Sequence, residues 1–174
     1  MIRMALFVAF TAVACSFDAR AQETHQHQHQ HGAEDLGQVN FRISCTPEAQ
    51  KQFNRAAAWL HSFGYQEAEK AFNAVTVTDP KCGMAWWGVA MSQYHPIWVP
   101  PTQAELKKGW SAVEKARSLS AATDREKSYI AAIEGFFKDA DKIDHRTRAR
   151  AYEQAMEQIY RRHPEDREAA IFYA

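Results

Sequence analysis

Four histidines alternate with glutamines at His25, His27, His29 and His31, so half of the chain's 8 histidines fall in one short run. In an extended backbone alternate side chains point the same way, which puts all four imidazoles on one side. A flexible chain can then wrap a metal with any three of them, and neutral imidazole suits Zn²⁺, Cu²⁺ or Ni²⁺. Such binding is unselective and pH-dependent, because protonation near a pKa of about 6.5 removes the lone pairs. Nothing in the run preorganises the ligands, so the chemistry it suggests is an accessory metal-binding tail and not a catalytic centre. The competing reading is an incidental polar tail.

Two further groups of residues invite a chemical reading. Cys45 and Cys82 are each expected at the start of the first helix of successive helical hairpins, where neighbours can be bridged. The alternatives are a disulfide and two small buried thiols, and the spacing excludes a CxxC redox centre. Trp59, Trp86 and Trp98, with Trp87, His61 and His95, form an aromatic-rich region. Inter-hairpin packing explains it, while a ligand groove of exposed aromatics would anchor a peptide or small molecule. In the groove reading Arg55, one turn before Trp59, holds a carboxylate. Arg146, Arg148 and Arg150 alternate near a helix start and read as a solvated face. Motifs of the GxSxG, HExxH, CxxCH and glycine-rich phosphate-loop types are missing from the sequence, so no catalytic residue is assigned. A scattered pair such as His61 with a spatially close carboxylate would leave no trace in sequence.

The elements that must position these residues begin after residue 40. Residues 1–21 have a positive Arg3, an apolar run from Met4 to Cys15 and the small-x-small triplet Ala19-Arg20-Ala21, the pattern of a secretory signal cleaved before Gln22. A lipoprotein alternative would modify Cys15, but the box before it lacks leucine. The run is too short for a membrane span of about 20 residues, and no later stretch is apolar enough. The expected location is periplasmic or secreted. Removing Arg3, Asp18 and Arg20 turns the balance of 21 basic and 21 acidic residues into a net charge of −1, without the basic excess of a nucleic-acid binder. Residues 22–40 are polar, without periodic apolar positions, and are expected to be disordered.

From Phe41 onward the pattern is helical. Thr46-Pro47 reads as an N-cap and first helical position, followed by Phe53, Ala56, Ala57 and Leu60 on one face. Gly64 interrupts, a second helix covers about 65–77, and a third about 82–94. His95 to Pro101 is a connecting loop. Capping boxes at Thr102/Glu105 and Thr123/Glu126 open a fourth and a fifth helix. A sixth spans about 146–161, and Pro164 is expected to start a seventh. The run Gly64-Tyr65, Ala68, Phe72, Val75, Asp79-Pro80 fits the second half of a tetratricopeptide repeat, and Trp86, Val89 and Ala90 land on first-half positions of the next. Tyr152, Met156, Ile159 and Pro164 echo the second half. The fold class expected is all-α, a right-handed α-solenoid of about three tetratricopeptide-like hairpins plus a truncated helix over residues 41–174. A plain helix bundle is the alternative.

The string Asp79-Pro80-Lys81-Cys82-Gly83-Met84-Ala85-Trp86-Trp87-Gly88-Val89-Ala90-Met91, followed by His95-Pro96-Ile97-Trp98, resembles a group of exported bacterial tetratricopeptide repeat proteins. The segments Phe53-Asn54-Arg55 to Ala68 and Arg148 to Met156 resemble it too, so the likeness covers about residues 38–174. It implies a fold and an exported location, with no assigned chemistry. Proteins of this group are usually much longer, which implies a chain cut short at Ala174. The functional expectation is an exported scaffold that binds a protein or peptide partner, without enzyme activity. The alternative is a periplasmic metal-handling protein acting through His25 to His31.

Overall fold

The computed structural model describes residues 36–97, 99–119 and 123–174. Among them lie seven helices and no strand: α1 (Pro47–His61), α2 (Tyr65–Thr78), α3 (Gly83–Met91), α4 (Gln103–Ser118), α5 (Asp124–Phe137), α6 (His145–Arg162) and α7 (Arg167–Tyr173). Most starts are written locally. Thr46 caps α1 ahead of Pro47, and full capping boxes open α4 at Thr102/Glu105 and α5 at Thr123/Glu126. Asp144 caps α6 through the Thr147 N–H. Each cap satisfies amide donors that the first helical turn leaves without partners.

Contacts are densest within α1–α2, α3–α4 and α5–α6 and thinner between these pairs, as expected for a row of helical hairpins. The odd-numbered helices start at residues 47, 83, 124 and 167, spacings of 36, 41 and 43. α3 touches both α1 and α5, whereas the even helices do not touch one another. The row therefore curves with α1, α3 and α5 on its inner side.

Successive hairpins meet through a phenylalanine seated on a glycine. A Cβ on Gly88 of α3 would come within 2.2 Å of the Phe72 ring of α2, and one on Gly109 of α4 within 2.2 Å of the Phe137 ring of α5. Both rings are fully buried, at 0% and 1% exposure, so neither has room to retreat. Gly64 has a different role. The residue in the left-handed region at the α1–α2 turn is Phe63, at φ 57°, while Gly64 sits at φ −80°. Gly64 is small because the Trp59 side chain lies 2.9 Å from where its Cβ would be.

The first helix starts at Pro47 behind its Thr46 cap, as the sequence predicts, and residues 37–43 before it form no helix. Two expectations need correction. The last helix does not begin at Pro164. Asp166 caps it through the Glu168 and Ala169 N–H groups, so it opens at Arg167. Arg148 does not share a solvated face with Arg146 and Arg150. It is buried, with Nε donating to the Ile143 carbonyl (3.0 Å), Nη1 to the Phe136 carbonyl (2.7 Å) and the guanidinium 4.7 Å from the Phe136 ring centre. The carbonyls left over at the end of α5 supply the partners that let an arginine sit inside.

The two kinds of helical glycine predict opposite responses. Gly88→Ala drives a methyl into Phe72 and should cost about 1–3 kcal/mol. Gly135→Ala, at an exposed position of α5 with nothing within 4 Å, should stabilise by up to about 1 kcal/mol. Urea denaturation of the two variants checks both signs.

Candidate functional site

The inner side of the row is occupied by the chain itself. Val39, Phe41 and Ile43 turn toward the core, while Asn40, Arg42 and Ser44 are exposed, the period-two alternation of an extended segment. Phe41 has no exposed surface. Its ring meets Phe53 of α1 and Trp87 of α3 at 5.4 Å each, Tyr129 of α5 at 5.1 Å and Phe172 of α7 at 6.3 Å. One side chain thus touches all four odd-numbered helices. Its burial stabilises by about 1.5–3 kcal/mol, to which edge-to-face ring pairs add.

The segment's backbone is held by side chains. Gln50 donates from Nε2 to the Phe41 carbonyl (2.8 Å) and accepts the Ile43 N–H at Oε1 (2.8 Å). Asn54 Oδ1 accepts the Phe41 N–H at 3.2 Å and the Gln50 Nε2 donor at 2.9 Å. Across the groove, Glu126 Oε1 accepts the Ser44 N–H at 2.6 Å while its other oxygen closes the α5 capping box on Thr123. Arg125 Nη1 donates to the Arg42 carbonyl at 2.9 Å. These bonds read peptide groups, not side-chain identity.

Arg125 is also the electrostatic centre of this region. Its guanidinium lies 5.0 Å from both the Phe41 and Tyr129 ring centres, and its Nε donates to Asp166 Oδ2 at 2.6 Å. Tyr129 Oη donates to the same oxygen at 2.9 Å. Burial works to raise the Asp166 carboxyl, but the Arg125 and Tyr129 bonds outweigh it and hold it below the usual aspartate range. Burial first, and the Asp166 charge second, push the Tyr129 hydroxyl far up.

Cys45 and Cys82 form a disulfide with Cα atoms 5.4 Å apart, fixing the end of the segment to the N-cap of α3. Thr46 N–H donates to Asp79 Oδ2 beside it at 2.9 Å. The bond bridges residues 37 apart in sequence and contributes about 3–4 kcal/mol in the chain-entropy picture. It suits an oxidising compartment.

The other expected site residues scatter. Arg55 is exposed and lines a cleft with Gln52, Ala71 and Val77 on the α1–α2 side. Neither Trp59, against Gly64, nor Trp86, half-buried on the core, lines that cleft. Trp98, His25, His27, His29 and His31 lie outside the described residues. His61 does find a carboxylate: its Nε2 is 2.7 Å from Oε2 of the buried Glu168 on α7. His61 also borders a cavity of about 520 Å³ between the ends of α1 and α3, the first half of α6 and α7. His95 instead lies on Tyr65, ring centres 4.5 Å apart.

Phe41, Gln50, Asn54 and Arg125 were not marked as site residues by sequence reasoning, and Glu126 was marked only as a helix cap. The signal available was the period-two alternation of Val39, Phe41 and Ile43, the signature of an extended segment with one buried face. Compared with protein-family models, curated proteins and solved structures, the chain matches none.

Arg125→Gln leaves Asp166 buried beside Tyr129 without its cation and should destabilise by roughly 3 kcal/mol at pH 7. The Asp166 carboxyl titrates lower when folded, so its contribution is complete above the unfolded-state pKa of about 4 and fades as pH falls through the folded value. The gap between variant and parent in urea denaturation should therefore narrow below pH 4.

Proposed function

We propose that this chain is an exported helical-repeat scaffold that binds a protein or peptide partner along its inner face. The observation that carries this reading is the way Gln50, Asn54, Glu126 and Arg125 hold an extended segment mainly by its peptide groups. Any extended chain presents those groups, so the same side chains suit a partner strand with an apolar residue where Phe41 now sits. Export is supported by the signal-like residues 1–21 and by the disulfide. Among the described residues no helix is long and apolar enough to cross a membrane. The role is binding, and no bond-making step is part of it.

A peptide supplied in trans tests the reading. Phe41→Ala weakens the resident segment, and a synthetic peptide of residues 36–44 should then bind that variant saturably in fluorescence anisotropy. Adding Gln50→Ala and Asn54→Ala should abolish the binding. A failure of the peptide to bind the Phe41→Ala variant would sink the proposal and leave the contacts as internal packing.

The alternating histidines favour a second, accessory role in metal binding through His25, His27, His29 and His31. Titration of the chain with Zn²⁺, Cu²⁺ and Ni²⁺ at pH 7.5 should show binding that disappears when the four are replaced by alanine and weakens below about pH 6, as the imidazoles protonate. Metal affinity unchanged by the replacement would remove this role.

A further inference from the structure

The cavity bordered by His61 combines an apolar interior with two arginines that form no ion pair among the described residues. Leu60, Met91, Ile97 and Phe172 supply the apolar wall of its roughly 520 Å³. That volume falls in the range of about 300–1,000 Å³ typical of small-molecule sites. Arg146 and Arg150, one turn apart on α6, stand on its border, and neither guanidinium has an ion-pair partner among the described residues. Arg148 between them points inward and spends its donors on the Ile143 and Phe136 carbonyls. The alternation thus puts one arginine in the core and leaves two for the cavity.

Two observations sharpen the chemistry. The Tyr65 hydroxyl in the cavity wall is buried and has no hydrogen-bond partner, a donor and acceptor kept from water. The charge is modest: Glu153 shares the lining with the two arginines, and the His61 ring is engaged by Glu168. A dianion such as phosphate would meet Glu153 without enough positive charge around it. A single carboxylate on an apolar body matches both parts of the site, since guanidinium groups bind carboxylates through paired N–H donors.

We propose that this cavity binds a small monocarboxylate with an apolar body, its carboxylate held by Arg146 and Arg150 and its hydrocarbon part lying against Leu60, Met91 and Phe172. The site is separate from the Gln50 and Asn54 contacts that carry the peptide reading, and it stands or falls independently of that reading.

Calorimetric titration of the full chain with 4-phenylbutyrate and with octanoate tests it. The expected result is saturable binding, with one ligand per chain, of at least one acid. Binding should weaken at least about tenfold both for the neutral 4-phenylbutyramide and for the Arg146→Gln/Arg150→Gln variant, the loss of a charge-assisted pair. Both arginines are exposed, so the variant should keep its fold, which circular dichroism checks. Glu153→Gln should tighten binding severalfold. The proposal is overturned if neither acid binds saturably, if the amide binds as well as the acid, or if the double arginine variant binds unchanged. Tighter binding of N-acetylglycylphenylalanine than of 4-phenylbutyrate would also overturn it, by reassigning the cavity to polypeptide chain ends.

Discussion

Phe41 is the point on which the inner side of this fold converges. Odd-numbered helices arranged along a curve leave an apolar trough between them, and water in that trough would expose Phe53, Trp87 and Tyr129 together. A single ring from the preceding segment fills the space and contacts all four helices. Curvature, core and segment therefore depend on one another. The hairpins supply the trough, and the ring turns neighbouring pairs into one continuous core.

Polar side chains near that ring each serve more than one element. Glu126 caps α5 with one oxygen and holds Ser44 with the other. Asp166 caps α7 with one oxygen and takes Arg125 and Tyr129 on the other. Asp79 accepts from Thr46 across the disulfide-linked starts of α1 and α3. Such sharing couples helix starts that are far apart in sequence, so loss of one carboxylate is felt at two helices or more.

The helices were largely legible in the sequence, because caps and apolar spacing are local signals. Thr46-Pro47 and both capping boxes sit where their side chains alone demand. The inner site was less legible for two physical reasons. Three apolar residues at period two are too short a run to outweigh the helical pattern that follows. The partners of Phe41 and Ser44 also lie on α1, α3, α5 and α7, a juxtaposition that only the curvature creates. Arg148 shows the same limit. An arginine flanked by two exposed arginines looks solvated until the end of α5 presents its carbonyls. Trp59 and Trp86 were candidates for a groove as well as for packing, since bulk and aromaticity serve both, and in the structure Trp59 lies against Gly64 and Trp86 is half-buried on the core.

In the proposed binding role, the position of the disulfide would set the terms of competition for the inner face. Cys45 stands one residue after Ser44, so the bond anchors the resident segment at its helix-side end, next to the Ser44 contact with Glu126. A segment tethered this closely returns as an intramolecular ligand, with an effective concentration in the millimolar range. A partner strand with the same contacts would meet a resident that never diffuses away. In the proposed binding role, only a strand that adds contacts beyond those of residues 41–44 would hold the face, so the tether would set an affinity threshold.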